Sequence, residues 1–407
     1  MIKTLHLENF RGIEKGDIEF GKITILTGPN NSGKSSIIYA LFALKNIVLN
    51  SNQSIDGFLN LGFLNLGGFK ETVFGKHDNK NISIEIGVEE NNIESTYTAL
   101  IGKINSKLSL ETKKPYPLSF NLDVSFPYPA NANTGLEFSD KNSNLAANIT
   151  WNGMTPTINQ TTKILDNDAT NEKFVNNIAK SINLPIEELR AIDFVPLRRG
   201  FIKPIYSSVP LQQQLLTEDE LATLLATDRD LEGKVGIFLE QIVDRRFNVR
   251  VPLGTATFNL QTTDSKTGLV CDLVNEGFGT NQLVTILTKC LRKEMQTICI
   301  EETEIHLHPE LMDKLVSVFI DIVKEENKNF IITTHSEHIV LSLLNKIAQK
   351  KIKTEDVRIY YLSKDKKRTK IEKQEIIERG QISGGLKGFY ETELKEVQNF
   401  FNTSEAK

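Results

Sequence analysis

The sequence has only three cysteines, Cys271, Cys290 and Cys299, too few and too scattered for a disulfide framework or a CxxC metal site. No apolar run approaches the roughly 18 residues that a membrane-spanning helix needs. The amino-terminal stretch MIKTLHLENFRG lacks the apolar segment of a signal peptide. These absences predict a cytoplasmic protein in a reducing compartment, with no membrane partner.

A strong excess of either charge is also missing. The 48 Lys and Arg residues stand against 52 Asp and Glu, a formal net charge of -4, so bulk electrostatics gives no reason to expect nucleic-acid binding. Any DNA contact would need a local basic face. The 407 residues are 39% hydrophobic and 25% charged, which is ordinary for a soluble globular protein of two to four domains. Internal repeats and sustained heptads are not found.

Hydrophobic periodicity predicts an α/β beginning and a β-rich middle. Strands are predicted over 2–7 and 17–27, followed by a glycine-rich turn and a helix. The apolar face of that helix is formed by Ile37, Leu41, Leu44 and Val48. From about residue 80 the period changes to two, which predicts half-buried antiparallel strands. The alternating residues are Ile82, Ile84, Ile86 and Val88, and then Leu118, Phe120, Leu122, Val124 and Phe126.

The rest of the chain contains a polar stretch and a second α/β part. Residues 129–175 are rich in Asn, Thr and Asp and are predicted to form loops or mobile turns. A helix is predicted through 231–243. From residue 271 onward the pattern predicts strands at 297–300, 330–333, 357–362 and 370–376, and helices near 280–293, 309–325 and 336–350.

The stretch GPNNSGKSS, residues 28–36, matches the phosphate-loop pattern G-x-x-x-x-G-K-[ST] and stands between a predicted strand and a predicted helix. Gly28 and Gly33 let the backbone curl so that N–H groups point at phosphate oxygens. Lys34 supplies a charge for the β- and γ-phosphates, and Ser35 offers a hydroxyl to Mg²⁺. The sequence therefore predicts a site for ATP and Mg²⁺. Its contact residues are Gly28, Asn30, Asn31, Ser32, Gly33, Lys34, Ser35 and Ser36.

A pair of acids lies far from this loop, in TICIEETEIHLHP, residues 297–309. A short apolar strand places Glu301 and Glu302 at its carboxyl end, where parallel sheets bind ligands. Glu301 is predicted to hold Mg²⁺, and Glu302 to orient and help deprotonate the attacking water as a catalytic residue. A solvated Glu-Glu turn is the alternative, which the complete phosphate loop makes less favourable.

Histidines follow the two strands predicted at 297–300 and 330–333. His306 and His308 have H-x-H spacing, but no cysteine or third histidine is near in sequence, so a turn and helix-cap role is favoured over a metal site. Pro309 is then the first residue of the next helix. His335 follows the strand at 330–333 and is predicted to reach a γ-phosphate, with a structural histidine as the alternative.

These motifs resemble those of the ABC-type ATPases grouped with SMC, RecF and the OLD family. The chain is similar to prokaryotic AAA-family proteins whose hallmark resembles EEPE-x-x-LHP, over residues 1–75 and about 268–345. The resemblance implies an α/β P-loop NTPase fold of the ABC-ATPase type, with a split nucleotide-binding domain. Residues 1–80 and 266–407 would form the two halves, and 81–265 an antiparallel β and mixed insertion.

The resemblance also implies site residues. LENFRGI is similar to the family's N-F-R start, which implies that Arg11 lies near the nucleotide, and TTHS resembles the histidine switch loop of His335. Glu304 would carry the D-loop. VNEGFGTNQ, residues 274–282, is similar to a G-F-G-x-S-Q signature, whose helix would face ATP held by a partner subunit, unless it is an ordinary glycine turn. Its implied contacts are Gly277, Gly279, Asn281 and Gln282.

Three departures from the family pattern stand out. Glu301 replaces a frequent Asp, Asn281 replaces an expected Ser, and residues 67–76 lack a Q-loop glutamine. The segment after His335 is too short for the nuclease domain of OLD-type enzymes. GGLKGFYETEL, residues 384–394, resembles the tail of nuclease-free relatives.

One phosphate loop and one signature loop per chain imply an ATP-dependent head-to-tail homodimer, because in ABC-type folds the two loops of one subunit cannot share a nucleotide. Four functions stay open: a dimeric switch or scaffold for a separate effector protein, with anti-phage defence as its context; a RecF-like DNA clamp; a transporter motor; and a structural protein with negligible turnover. The basic sets available for DNA are Arg198, Arg199 and Lys203, then Arg245, Arg246 and Arg250, and residues 364–370.

Overall fold

The computed structural model describes residues 1–129, 131–141, 143–164, 168–212, 216–377 and 379–385. The strands in this part are β1 (Ile2–Phe10), β2 (Ile13–Glu19), β3 (Ile23–Thr27), β4 (Ile82–Glu90), β5 (Ile93–Ile101), β6 (Ser106–Lys114), β7 (Leu118–Val124), β8 (Thr134–Asp140), β9 (Leu145–Trp151), β10 (Pro156–Thr162), β11 (Ile192–Val195), β12 (Tyr206–Ser207), β13 (Arg245–Arg250), β14 (Thr257–Asp264), β15 (Val270–Asp272), β16 (Thr297–Glu301), β17 (Asn329–Thr333), β18 (Val357–Asp365) and β19 (Arg368–Gln374).

The helices are α1 (Lys34–Leu49), α2 (Ile55–Phe58), α3 (Phe69–Thr72), α4 (Asp168–Arg190), α5 (Glu218–Thr227), α6 (Arg229–Val243), α7 (Phe278–Leu291), α8 (Pro309–Glu325) and α9 (Glu337–Ala348). The predicted helices at 231–243, 280–293, 309–325 and 336–350 are confirmed as α6 to α9. Among the described residues, no helix is long and apolar enough to span a membrane. The tail at 384–394 lies almost entirely outside the described residues.

A six-stranded sheet forms the centre of the fold, with the order β11-β16-β17-β3-β18-β19. The first five strands are parallel, and β19 pairs antiparallel with β18. Strands buried on both faces read as continuous apolar runs, which explains why β3 and β17 are buried along their whole length. The strands predicted at 297–300, 330–333, 357–362 and 370–376 are confirmed as β16 to β19 of this sheet. The strand predicted at 17–27 is instead two strands, of which only β3 joins this sheet, and the strand predicted at 2–7 is β1 of a second sheet.

The pleat of this sheet divides its side chains between two cores. Cys299 and Ile331 point into a core that also contains α1, whereas Ile298, Ile300 and Ile332 point into a core that contains α7, α8 and α9. Successive residues of a strand face opposite sides of the sheet, so each short strand serves both cores. The sheet is thereby held between two apolar layers.

A second six-stranded sheet has the order β2-β1-β4-β5-β6-β7 and is antiparallel at every pairing. The apolar residues of β4 and β7 are buried at alternating positions, as predicted, although Phe126 lies beyond the end of β7. The amino-terminal strand β1 pairs with β4, and β11 pairs with β16. The sheets thus join strands from the segments 1–80, 81–265 and 266–407, whose division into domains stays a prediction.

The prediction of loops over 129–175 is wrong. This stretch contains β8, β9 and β10, which form a three-stranded antiparallel sheet, and the beginning of α4. Polar residues occupy the outer face of this sheet and lower the average hydrophobicity of the sequence. Its inner face is nevertheless apolar. In β9 that face is formed by Leu145, Ala147, Ile149 and Trp151, all buried.

A buried cluster of charges joins β11 to α7. The Asp193 carboxylate lies 3.2 Å from Lys289 Nζ and 2.8 Å from Arg292 Nη1, and all three side chains are almost completely buried. Burial alone would raise the pKa of Asp193, but the two cations outweigh it and lower that pKa. From the other core, Lys45 Nζ of α1 donates to the carbonyl oxygens of Arg190 and Ile192. The cluster therefore fixes α7 and α1 to the same edge strand.

Replacing Asp193 by Ala is expected to lower the free energy of unfolding by about 3–5 kcal/mol, because it leaves two buried cations without their carboxylate. Denaturant unfolding monitored by circular dichroism measures this loss. Asp219→Ala is the control, since it removes a pair with Lys203 in which both side chains are largely exposed, and it should cost far less. Equal destabilisation by the two substitutions would contradict the structural role of the cluster.

Candidate functional site

Three loops meet at the carboxyl edge of the central sheet because β16, β17 and β3 are parallel and adjacent. The phosphate loop follows β3, the acid pair ends β16, and residues 334–335 follow β17. Backbone hydrogen bonds fix the three loops to one another. Thr334 N–H donates to the Leu26 carbonyl at 3.1 Å, and Glu302 N–H donates to the Thr333 carbonyl at 2.9 Å. The predicted residues from distant parts of the sequence are thus brought to one place.

The phosphate loop has the backbone that its glycines permit. Gly28 and Gly33 have positive φ values of 134° and 101°, a region that glycine occupies without cost. Asn31 also has a positive φ, of 62°. A Cβ atom on Gly28 would overlap the carbonyl oxygen of Leu362, and one on Gly33 would lie 2.6 Å from Thr369 Oγ1. The loop therefore packs against β18 and β19 so closely that neither glycine has room for a side chain.

The charge of Lys34 is buried without a carboxylate partner in the described part of the chain. Its side chain is 6% exposed, and its Nζ donates at 2.9 Å to the carbonyl oxygens of Gly28 and Pro29. Burial lowers the pKa of Lys34 to about 8, although the negative charges of Glu302 and Glu304 oppose this shift. A buried cation held only by carbonyl dipoles is suited to an anion such as a phosphate.

The other loop residues divide between exposed and buried positions. Asn30 and Asn31 are exposed at the tip, whereas Ser32 is buried and its hydroxyl has no partner among the described residues. Ser36 N–H donates to the Gly33 carbonyl at 3.0 Å and begins the hydrogen-bonding of α1. The helix presents its amino terminus and the positive end of its dipole to the loop.

The carboxylate of Glu301 lies beside α1. Tyr39 donates its hydroxyl to Glu301 Oε1 at 2.9 Å, and the Tyr39 hydroxyl also bonds Ser35, four residues earlier on the helix. Burial and the charge of Glu301 raise the pKa of Tyr39 to about 12. The hydroxyl of Ser35 and the carboxylate of Glu301, the two predicted metal ligands, thus converge on one phenol. Hard oxygen donors of this kind suit Mg²⁺.

Arg11 lies on the far side of Tyr39. Its guanidinium carbon is 5.4 Å from the centre of the Tyr39 ring, within the range of a cation–π interaction. Burial lowers the pKa of Arg11, while Tyr39 and Glu301 oppose the shift. The Arg11 Nη1 atom is buried and finds no hydrogen-bond acceptor in the described residues. The structure therefore places Arg11 beside the acid pair, with one donor unused.

Glu302 and His335 face each other across the site. His335 Nε2 lies 3.6 Å from Glu302 Oε1, and the φ of Glu302 is 43°, a left-handed value that is uncommon outside glycine. Burial, together with the charge of Lys34, lowers the pKa of His335, so the imidazole is neutral at neutral pH. The backbone N–H of His335 donates to Glu304 Oε1 at 2.6 Å. Glu304 therefore fixes the loop that carries the histidine.

Arg199 supports the acid pair, a role that the sequence does not indicate. Its guanidinium donates to the carbonyl oxygens of Glu301 at 2.6 Å and Glu302 at 2.8 Å, and the side chain is 8% exposed. Arg199 is therefore not available to a DNA-binding basic set, because its guanidinium donates to backbone carbonyls inside the protein. The contact between Arg199 and the acid pair follows from the strand order, because β11 and β16 are parallel neighbours that end side by side.

The predicted signature residues contact other parts of the chain. Asn281 is buried, and its side-chain amide accepts from Phe201 N–H at 2.7 Å and donates to the Phe201 and Leu273 carbonyls. This corrects the prediction that the Asn281 amide faces a nucleotide, because both of its ends already have backbone partners. Gln282 is buried as well, at 2% exposure.

The glycines of this segment differ from each other. Gly277 precedes α7, and a Cβ atom there would meet nothing within 4 Å. A Cβ atom on Gly279 would lie 2.7 Å from the carbonyl oxygen of His306. The segment is therefore open at Gly277 and closely packed at Gly279.

The histidines after the acid pair have the predicted turn and cap roles. His308 caps α8 by accepting a hydrogen bond from Glu310 N–H, and Pro309 is the first residue of that helix. His306 adopts a left-handed φ of 61° and packs edge-on against Phe278 at 4.8 Å. Within the described ranges, no group of three or more His, Cys, Asp or Glu side chains is arranged to hold a metal ion.

Comparison with known proteins gives one long match to a family. The family model described as "AAA domain, putative AbiEii toxin, Type IV TA system" matches residues 23–342, which include the phosphate loop, the acid pair and His335. An "ATP/GTP phosphatase" of Helicobacter pylori is 22% identical over 97% of this chain and 99% of its own length. An uncharacterised protein of Methanocaldococcus jannaschii is 52% identical over 42 residues, 10% of this chain, which spans only 19% of that protein's length.

Solved structures show the fold. An SMC head domain, crystallised bound to the C-terminal winged-helix domain of ScpA, is 12% identical, with 91% of this chain and 97% of that chain covered and a TM-score of 0.50. The fold is thus that of an α/β P-loop ATPase of the SMC-head kind. Because this family model matches residues 23–342, well over half of the chain, the chain belongs to the ATPase family of the AAA domain described as a putative AbiEii toxin of a type IV TA system.

Proposed function

We propose that this protein binds and hydrolyses ATP, and that ATP-dependent pairing of two copies switches or organises a separate effector protein. The observation that supports hydrolysis is the convergence of Lys34, Glu302 and His335 at one edge of the central sheet, from segments far apart in sequence. A cation for phosphates, a carboxylate for the attacking water and a neutral imidazole are the groups that phosphoryl transfer uses. The name of the Helicobacter pylori relative, an ATP/GTP phosphatase, agrees with this chemistry.

The residues of the site would divide the work as follows. Backbone N–H groups of the phosphate loop and Lys34 hold the phosphates of ATP, which is the substrate. Glu302 orients the attacking water and accepts its proton, and His335 contacts the γ-phosphate. Ser35 and Glu301 would hold Mg²⁺, which supplies neutralisation of phosphate charge when bound. Tyr39 positions Glu301, and Arg199 fixes the backbone that carries both acids.

Gly277 and Phe278 support the involvement of a second copy. Nothing packs over Gly277, and Phe278 next to it is 52% exposed, so the amino terminus of α7 faces outward. Gly279 and Asn281 contact residues 200–201, 273 and 306 rather than the phosphate loop of the same chain. The dipole of α7 is therefore available to ATP on another subunit.

The effector and its context rest on relatives alone. The family description names a toxin of a toxin–antitoxin system, and an SMC head with this fold was crystallised with a separate protein, ScpA. A partner effector, an anti-phage role and a cytoplasmic location are consistent with these descriptions.

A RecF-like DNA clamp is the second candidate, but ion pairs weaken it. Arg245 pairs with Asp264, Arg246 with Glu240, and Lys203 with Asp219. Pairing neutralises the charge that phosphate contacts need. ATP-dependent DNA binding that weakens steeply with salt would favour this candidate over the effector switch.

The first test compares the wild type with Glu302→Gln. The variant is expected to lose phosphate release by at least about a hundredfold and to stay dimeric in Mg-ATP, because the water loses its base while ATP remains bound. Light scattering gives the mass, and a phosphate assay gives the rate. Glu310→Gln, an exposed carboxylate change in the first turn of α8, is the matched control and should behave as wild type. A monomeric protein whose variant hydrolyses normally would contradict the proposal.

A second test uses the titration of Lys34. In the free protein its pKa is lowered to about 8, whereas bound phosphates favour the charged form and raise it. Binding of ATP should therefore take up a proton at about pH 9 but little at about pH 7, and affinity should fall as the pH rises between them. The pKa of His335 is lowered in the free protein, so any proton that this imidazole takes up on binding belongs near neutral pH and does not affect the measurement at about pH 9.

Isothermal titration calorimetry in buffers of different ionisation enthalpy measures this uptake. Lys34→Arg is the comparison, because arginine keeps its charge and binding then takes up no proton. An absence of proton uptake by the wild type at about pH 9 would mean that Lys34 does not meet the phosphates.

A further inference from the structure

A cavity of about 640 Å³ lies beside α7, away from the phosphate loop. One face of α7 forms a wall, through Phe278, Gln282, Thr285 and Lys289, which recur at helical spacing. The opposite walls come from residues 196–202, from α5 and from the turn at 305–306. Apolar side chains supply most of the remaining lining. This volume is within the range of sites for small organic molecules.

Three side chains in the cavity wall carry polar atoms that lie behind its surface and lack partners. Gln282 Oε1, Thr285 Oγ1 and Arg199 Nε are each buried without a hydrogen bond to any described residue. Their side chains are 2%, 4% and 8% exposed. An unpaired buried polar atom costs roughly 1–3 kcal/mol, so the wall behind this cavity is incompletely satisfied. A ligand bonds these atoms only if their side chains turn toward the cavity, so the exposed guanidinium of Arg198 is the group directly available to it.

The charge of the lining is positive. Arg198 and Arg199 both line the cavity, and neither forms an ion pair with a described carboxylate. Lys289 is already paired with Asp193, so it adds little. The Glu218 carboxylate, which also lines the cavity and accepts from Ile202 N–H and the Tyr206 hydroxyl, contributes one negative charge against the two arginines. Two arginines beside an apolar hollow favour a ligand with one negative group and an apolar body.

Arg199 connects this cavity to the acid pair. The same guanidinium whose Nε is unpaired donates its other nitrogens to the carbonyl oxygens of Glu301 and Glu302. Because Nε has almost no accessible surface and the guanidinium is planar and rigid, an anion in the cavity bonds Nε only if the whole group turns. A shift of Arg199 changes the hydrogen bonds that fix the backbone of both acids.

We propose that this cavity binds a small anionic amphipathic molecule, an aromatic or acyl body with a single carboxylate or similar anion, and that its occupancy alters ATP hydrolysis through Arg199. Binding of the molecule is independent of the proposed function, whereas its effect on ATP hydrolysis rests on that function. The site is separate from the phosphate loop, since none of residues 28–36 lines it.

The probe is octanoate, with octanol as its uncharged counterpart, and binding is measured by displacement of the dye anilinonaphthalene sulfonate in the absence of nucleotide. Octanoate should displace the dye saturably, and octanol should be at least about tenfold weaker, because it forms no charge-assisted hydrogen bond. Arg198→Gln should weaken octanoate about tenfold without affecting octanol. Arg250→Gln, an equally exposed arginine in β13, is the matched control and should change nothing.

A blocking variant tests the location. Thr285→Phe fills the cavity from the wall of α7 and should abolish displacement by octanoate. Should that variant unfold, Arg198→Gln still decides, because Arg198 is exposed and outside the core. Equal binding of octanol and octanoate, or binding that survives Thr285→Phe in a folded protein, would overturn the assignment of the site.

The coupling is tested by the rate of phosphate release with and without octanoate. The wild type should change its rate at least about twofold at saturation, and a folded Thr285→Phe variant should not respond. A wild type that binds octanoate but hydrolyses ATP at an unchanged rate would overturn the coupling and leave the site. A wild type with no ATP hydrolysis would instead contradict the proposed function, while the dye experiment would still decide whether the site exists.

Discussion

Parallel pairing of β16 and β3 on either side of β17 is the constraint on which the site depends. Each of these strands is only five residues long, so every strand ends at nearly the same height. The phosphate loop, the acid pair and the histidine loop therefore start from one edge, whatever the length of chain between them. The separation of Lys34 from Glu301 in sequence is filled by other sheets. Of the strands between α1 and β16, β11 joins the central sheet, and the loop after it carries Arg199 to the acid pair.

The site residues that the sequence predicts are those set by a local pattern at a strand end. Lys34, Glu302 and His335 each follow an apolar run, and their convergence needs only that the three runs be parallel neighbours. Tyr39 was also within reach of sequence reasoning, because it stands four residues after Ser35 on a predicted helix. Arg199 was not. Its position depends on the pairing of β11 with β16. The sequence of a four-residue strand after a long helix does not predict which strand it pairs with.

The same distinction explains the two errors in the middle of the chain. Residues 129–175 look polar because one face of a three-stranded sheet is solvated, and average composition hides an alternation that burial makes plain. Asn281 looks like a ligand residue because it stands where a signature serine is expected. Its amide satisfies both the N–H and the carbonyl of Phe201 instead, a contact across 80 residues that no local pattern encodes.

Helix α7 connects these observations physically. Its first turn is open at Gly277, Asn281 ties it to residue 201, and further along the helix Lys289 and the adjoining Arg292 are held by Asp193 on β11. The loop after β11 carries Arg199. This short strand and its loop therefore fix both α7 and the acid pair. The helix and the backbone of Glu301 and Glu302 are therefore held by neighbouring residues of one segment, Asp193 in β11 and Arg199 in the loop that follows it.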